Sequence, residues 1–298
     1  MEHQLFSEKT SPVGAELLRD RELLRELEKA EFVAPENTRV ITVANQKGGV
    51  GKTTSAVNLA AALARGGLNV LVVDADPQGN ATTALGVEHG IGTPSVLEVI
   101  TGEKSLIEVL QQCPDFPSLL VAPSTIDLSS AEIQLVLEDN REFRLRDAVN
   151  EALHQFQNHG QRIDYVLIDC PPSLGLLTLN ALVAGREVLI PIQTEYYALE
   201  GLTQLMKTIE MVRGGLNPNL HISTILLTMY DRRTNLAQEV AAEVRNYFPD
   251  QTLSVEIPRN IRISEAPSFR QTVLTYDPRS TGAVAYLAAA YEMTRQNS

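Results

Sequence analysis

The stretch Asn45-Gln46-Lys47-Gly48-Gly49-Val50-Gly51-Lys52-Thr53-Thr54 packs three glycines, two lysines and two hydroxyl side chains into ten residues. A glycine-rich turn lets consecutive backbone N–H groups point inward as an anion nest. A helix beginning near Lys52 aims its positive end at the same place. The anion that suits this arrangement is a nucleotide phosphate. Lys52 is expected to neutralise the β- and γ-phosphates, and the Thr53 hydroxyl to ligate Mg²⁺. A plain glycine turn beside a surface lysine is the weaker reading, because a β-branched run precedes the loop and a helical pattern follows it.

Two carboxylates stand just past apolar runs. Val70–Asp74 leads into Ala75-Asp76-Pro77-Gln78-Gly79. An acid beyond a strand end lies on the ligand side of an α/β sheet, so Asp76 is the candidate for orienting an attacking water. Loose phosphoryl transfer needs positioning and charge tuning rather than covalent help. The alternative for Asp76 is an Asp-Pro turn initiator. Val166-Leu-Ile-Asp169-Cys170-Pro171-Pro172-Ser173 fits a Walker B strand, with Asp169 holding Mg²⁺ directly or through water. The two prolines stiffen the next turn, which suits a segment that reports the γ-phosphate. Further on, Pro258 and Asn260 can flank a purine by apolar contact and edge hydrogen bonds. Arg232, Arg233, Arg259, Arg262 and Arg270 gather in the loops around them. Between Met229 and Arg279, seven arginines balance seven acids.

The elements that must position these residues alternate regularly. Val40–Ala44, Val70–Asp74, Leu119–Ala122, Tyr165–Asp169, Glu187–Ile192, Ile222–Thr228 and Leu253–Ile257 read as strands, most of them nearly continuous apolar runs. Lys52–Arg65, Arg144–Asn158, Leu174–Ala184, Leu199–Val212 and Leu236–Tyr247 read as amphipathic helices. The expectation is an α/β fold with a doubly wound, mostly parallel sheet and helices on both faces. Residues 1–38 stand apart as an N-terminal helical extension, and residues 39–298 as the P-loop domain. Within the extension, Ser11-Pro12 resembles a cap and first turn. A helical period runs from Val13 to Phe32, with Leu17, Leu24 and Leu27 on one face and Leu18 and Leu23 beside it. A surface helix packed on the main domain is the expected role, and a partner-docking or dimer-contact helix is the alternative. Pro35-Glu36-Asn37 reads as a linker.

Composition sets limits. The chain has 298 residues, 44% hydrophobic and 21% charged, enough for a large core. Tryptophan is absent and aromatics are 5%, which argues against a surface that stacks sugars or single strands. The formal charge of -12, taken alone, argues against a nucleic-acid binder. Two cysteines with no Cys-x-x-Cys pair exclude a disulfide framework or a cluster site. No signal pattern opens the chain, and runs such as Asn58–Ala64 are too short to cross a bilayer. A cytoplasmic protein is expected.

The run Lys47-Gly-Gly-Val-Gly-Lys-Thr-Thr54, with Gln46 where a first glycine is usual, resembles the deviant Walker A motif of the ParA/MinD class of P-loop ATPases. The runs Asp169–Leu182 and Pro191–Leu202 resemble its ParA/Soj branch, and the resemblance extends from about Arg39 to Arg295. It implies ATP as substrate with Mg²⁺, and ADP as product. It implies a nucleotide-sandwich homodimer in which Lys47 reaches the partner's phosphates, a charge delivered in trans like an arginine finger. It assigns the ATP site to Lys47, Gly48, Gly49, Val50, Gly51, Lys52, Thr53 and Thr54, water positioning to Asp76, and adenine contact to Pro258 and Asn260. It also implies non-specific double-stranded DNA binding through Arg233 and Arg262, a ParB-type centromere-binding partner that stimulates hydrolysis, and nucleoid association. DNA partition is the reading preferred. A ParA-like ATPase that positions a protein cargo is the alternative hardest to separate from it. A MinD-like membrane ATPase is disfavoured, because the end Tyr286–Ser298 carries one base, Arg295. Cofactor-assembly relatives need bridging cysteines. The net charge then becomes a limit on affinity: a weak arginine patch counts when a dimer doubles it.

Overall fold

The structure is a computed structural model and describes residues 12–296. Its strands are β1 (Arg39–Val43), β2 (Val70–Asp74), β3 (Gln111–Gln112), β4 (Leu119–Ala122), β5 (Tyr165–Asp169), β6 (Glu187–Gln193) and β7 (His221–Thr228). They form one sheet in the order β3-β4-β2-β5-β1-β6-β7. Every pairing is parallel except β3 with β4. Strands β1, β2 and β5 are buried along their whole length, which is why their sequences run apolar without alternation.

The helices used below are α1 (Pro12–Leu27), α2 (Lys52–Arg65), α3 (Asn80–Ala84), α4 (Arg144–Asn158), α5 (Leu176–Ala184), α6 (Ala198–Gly215), α7 (Asn235–Tyr247), α8 (Ile261–Glu265) and α9 (Thr281–Met293). One face of the sheet carries α2 and α9, which pack on each other. The alanines at 60–62 and 288–290 are buried there, and small side chains allow the two backbones to approach closely. The other face is covered by α4, α5, α6 and α7 in two apolar clusters. No helix among the described residues is long and apolar enough to cross a membrane.

The expected doubly wound sheet is present, with three local differences. Leu253–Ile257 is not a strand. Leu253 N and Ile257 N do donate to the β7 carbonyls of Ile225 and Leu227. Between them, however, the backbone N–H groups of Ser254 and Val255 go to the Glu292 carboxylate on α9, so the ladder breaks. Strand β3 is a two-residue edge too short to leave a periodic signal. In the extension, α1 ends at Leu27 instead of running to Phe32. The Phe32 ring leaves the helix to cover Gly66, where an added Cβ would fall on the ring, and it tilts against Tyr291 at 5.5 Å. Leu24 and Leu27 are buried, while Leu18 and Leu23 stay exposed, and α1 lies along α9. Ser11 and the Leu17 side chain lie outside the described residues.

One buried ion pair ties the layers at the end of the sheet where β1 begins. Arg39 Nε donates to Glu187 Oε1 at 2.9 Å, and Arg39 Nη1 to the Met293 carbonyl at 2.8 Å. This joins β1, β6 and α9. Removing one partner leaves the other as an uncompensated buried charge. Arg39→Met is therefore expected to lose about 3–5 kcal/mol in urea unfolding, whereas the double variant R39M/E187M recovers most of that loss. Equal losses in the single and double variants would contradict the pairing.

Candidate functional site

Strand register brings the candidate residues together. Val43 and Asp74 both stand opposite Asp169 on the central strand β5, so the first phosphate-loop residues and two carboxylates share one end of the sheet. Leaving β1, the chain turns through Gly49 (φ 76°) and Gly51 (φ 88°) before α2. Both angles lie in the left-handed region where a Cβ is strained, which explains glycine at these two positions. Three hydrogen bonds hold the loop, two of them to neighbouring strands. Asn45 Nδ2 donates to the Pro191 carbonyl at 2.8 Å, and Lys47 N donates back to Asn45 Oδ1 at 3.0 Å. Thr228, at the end of β7, donates its hydroxyl to the Val50 carbonyl at 2.8 Å.

Lys52 opens α2 and is buried. Its ammonium donates to the Lys47 carbonyl at 3.2 Å. Burial pushes its pKa down, and the nearby Asp169 charge is the largest influence in the other direction. Asp169 is fully buried, and neither side-chain oxygen has a hydrogen-bond partner. Burial first, and then the Asp74 charge, hold its carboxyl well above the usual range. The Thr53 hydroxyl lies close enough to oppose that shift without forming a hydrogen bond of ordinary length. Asp74 is pushed up to about 6 by burial, against the Thr82 bonds that favour its charged form. It accepts from Thr82 N at 2.8 Å and the Thr82 hydroxyl at 2.7 Å. An orphaned, buried carboxylate beside a hydroxyl is a donor set that suits a hard divalent cation. Thr53 and Asp169 therefore fit Mg²⁺. Asp76, also buried, is held in its turn by Gln78 N, which donates to its Oδ1 at 3.0 Å.

Two expected contacts are otherwise engaged in the single chain. The Lys47 ammonium forms an ion pair with Glu195 Oε2 at 2.8 Å, and both side chains remain partly exposed. Asn260 caps α8 by accepting from Arg262 N at 2.8 Å, and its amide donates to the Thr281 hydroxyl at 2.6 Å. Pro258 forms an isolated parallel β-bridge with Tyr230, two residues past the end of β7. The arginines are also paired within the chain. Arg233 makes a two-pronged contact with Asp231 at 2.9 and 2.8 Å, which holds the Asp231 carboxyl down at about 2. Arg262 reaches Glu265 at 2.9 Å and Asp277 at 3.4 Å. Arg232 and Arg270 pair with Glu256 and Glu88. Arg259 and Arg279 are exposed and make no ion pair among the described residues. Exposed pairs of this kind are weak and screened by salt.

Sequence reasoning missed Thr228 and left Glu195 without chemistry. It also missed Met229, whose φ of 50° is a left-handed residue just beyond the Thr228 buttress. Nothing local marks Thr228, which lies far along the chain from the loop it supports.

The description AAA domain belongs to the family model that matches residues 38–222. The chain is 50% identical over 260 residues to the chromosome partitioning protein ParA of Myxococcus xanthus, covering 87% of this chain and 89% of that one. It is 49% identical over 255 residues to the sporulation initiation inhibitor protein Soj of Bacillus subtilis, covering 86% and 98%. Among solved structures, a cobyrinic acid a,c-diamide synthase from Mycobacterium smegmatis with bound ADP and magnesium superposes with a TM-score of 0.71. That protein is 37% identical, with 85% of this chain and 92% of that one covered.

The raised carboxyls set a pH dependence. A cation at Thr53 and Asp169 requires the carboxylate form, so binding must release the proton that burial favours. The magnesium-dependent part of nucleotide affinity is expected to strengthen as pH rises and to fade as it falls, because the raised Asp169 carboxyl must lose its proton to hold the cation. Calorimetry in two buffers of different ionisation heat checks this; binding without proton release would contradict it.

Proposed function

The chain belongs to the ParA/Soj family of chromosome-partitioning P-loop ATPases, and on that premise we propose how its own residues carry out an ATP-driven DNA-partition cycle. ATP occupies the loop Lys47–Thr54, with its triphosphate on the backbone N–H groups of Gly48, Gly49, Val50 and Gly51 and on Lys52. Thr53 and Asp169 hold Mg²⁺, which neutralises phosphate charge when bound. Asp76 orients the attacking water, as phosphoryl transfer requires. Pro258 and Asn260 contact the adenine, Asn260 giving up its Thr281 bond for the purine edge.

In the ATP state two chains form a sandwich homodimer. Lys47 leaves Glu195 and crosses to the partner's phosphates. The doubled rim of Arg233 and Arg262 then binds double-stranded DNA without sequence preference, exchanging internal carboxylates for phosphates. A ParB-type centromere-binding protein stimulates hydrolysis, and the dimer separates and leaves the DNA. The cycle is a two-state equilibrium biased by nucleotide. It belongs to the cytoplasm, on the nucleoid. Residues 39–298 form the ATPase domain, and residues 1–38 are an extension whose helix α1 packs on α9.

The observation that best supports this reading is the buried Lys52 beside an Asp169 carboxylate with no partner. Such a pocket is costly until a phosphate–metal complex enters it. The acidic net charge of -12 supports switchable rather than tight DNA binding.

Gel retardation of plain duplex DNA tests the cycle. The wild type is expected to retard DNA with ATP and not with ADP, with steep weakening in salt. Arg262→Glu is expected to abolish retardation while ATP hydrolysis continues. Binding that ignores the nucleotide, or that survives Arg262→Glu, would contradict the proposal. Asp76→Ala is expected to keep ATP binding while turnover falls about a hundredfold; an unchanged rate would remove Asp76 from water positioning.

A further inference from the structure

Arg270 follows the 3₁₀ turn Ala266–Phe269, shortly after Arg262 in the chain. Its backbone is left-handed at φ 57°, a conformation that disfavours any Cβ. Such a residue persists where its surroundings hold it in place. Here the guanidinium Nη2 donates to the carbonyls of Gly86 at 3.3 Å and Val87 at 3.2 Å, and reaches Glu88 Oε1 at 3.2 Å. The backbone closes in as well: a Cβ added at Gly86 would sit 3.2 Å from the Arg270 carbonyl oxygen.

The segment that Arg270 grips begins at the end of α3. That helix has five residues, too few to hold its own shape, and it starts just after Asp76 and its turn. Its position is therefore imposed from outside. At its middle, Thr82 donates to Asp74, and Ser124 N donates to the Thr82 hydroxyl at 3.0 Å. Carbonyls at a helix end lack partners within the helix. The Leu85 carbonyl accepts from the Cys113 thiol at 3.3 Å, and the next two carbonyls go to Arg270.

Past Glu88 the chain comes back onto the Asp76 turn itself. The His89 ring lies against Gly79, where φ is 63° and an added Cβ would sit 3.0 Å from Nδ1. Thr83 gives its one hydroxyl proton to the Gly79 carbonyl at 3.1 Å. His89 Nε2, 3.0 Å from the same hydroxyl oxygen, is then the donor to it. Gly79 N in turn donates to the Asp76 carbonyl at 2.9 Å. An unbroken set of contacts thus leads from Arg270 through residues 86–88 to His89, Gly79 and Asp76.

We propose that Arg270 and His89 are positioning residues for hydrolysis, which together hold the Asp76 turn in place, and that Arg270 is not a DNA contact. The inference rests on the reading of Asp76 as the residue that orients water. A loosened positioning group slows the chemical step without weakening ground-state binding. Arg270 and Arg262 are close in the chain but serve different ends, one turnover and the other DNA.

Phosphate release by the full chain with magnesium and ATP tests this, together with affinity for a non-hydrolysable ATP analogue and gel retardation of duplex DNA with that analogue. Glycine accepts φ 57° without strain, so Arg270→Gly removes the guanidinium and leaves the backbone in place. It is expected to lower kcat about tenfold, with KM for ATP, analogue affinity and the salt dependence of retardation unchanged. His89→Ala is expected to match it. Arg270→Lys, which returns donors to the two carbonyls, and His89→Gln, which keeps an N–H for Thr83, are expected to regain most of the loss. The double variant R270G/H89A is expected to fall no further than the worse single one, because both act on one turn. An unchanged kcat in R270G or H89A, no recovery in R270K and H89Q, or additive losses in the double variant would overturn the proposal. Loss of analogue affinity alongside kcat would do so too, by marking a general loosening of the fold. A salt slope shallower by about one in R270G would make Arg270 a phosphate contact instead. Failure of the Asp76 reading shows separately, as an unchanged rate in Asp76→Ala.

Discussion

Lys52 is an ammonium buried at the start of α2, hydrogen-bonded to a backbone carbonyl and facing carboxylates that strand register forces into the same space. Buried charges are costly unless paired and hydrogen-bonded. Here the lysine pKa is pushed down while those of Asp169 and Asp74 are pushed up. Each shift moves its group toward neutrality, because burial disfavours the charged form. A triphosphate with a divalent cation supplies both missing charges at once. Buried carboxylates beside a buried ammonium thus suit a phosphate–metal ligand, and the rest of the architecture serves to hold that arrangement.

The holding is visible in how few routes out of the site are slack. Thr228 fixes the loop from β7, Asn45 fixes it to β6, and Gly51 turns it into α2. Beyond the carboxylates the chain is tied differently. Asp169 leads through two prolines to α5, whose first N–H and whose Asn180 are bound to the region around Glu132 and Arg141. The end of β7 leads through a left-handed Met229 to the arginine loops. The phosphate end of the sheet is thus tied to two surfaces, one acidic and apolar, the other cationic. Lys47 is the third variable element, because its exposed pair with Glu195 is weak enough to exchange.

The phosphate loop, Asp76, Asp169 and the sheet class were legible because each is a local pattern: a glycine-lysine turn, an acid at a strand end, an apolar run of strand length. What could not be read depends on distant partners. Leu253–Ile257 has the apolar content of a strand, but Glu292 on α9 captures the N–H groups that a strand would offer its neighbour. Phe32 fits the helical period, yet the open space over Gly66 draws it out of α1. Arg262 looks available in sequence, whereas Asp277 joins Glu265 around it in the folded chain. Glu195 could be given no role until the fold set it beside Lys47. Pattern captured the placement of single segments, while the resting partners of charged groups were decided by tertiary contact.

The account turns on nucleotide closing two chains over the shared phosphates. Light scattering on wild type and on Lys47→Ala, each with magnesium and either a non-hydrolysable ATP analogue or ADP, tests it most directly. The account predicts a dimer only for the wild type with the ATP analogue, and monomers in the other three samples. A wild type that stays monomeric with the analogue, or a Lys47→Ala variant that dimerises as readily as the wild type, would contradict it.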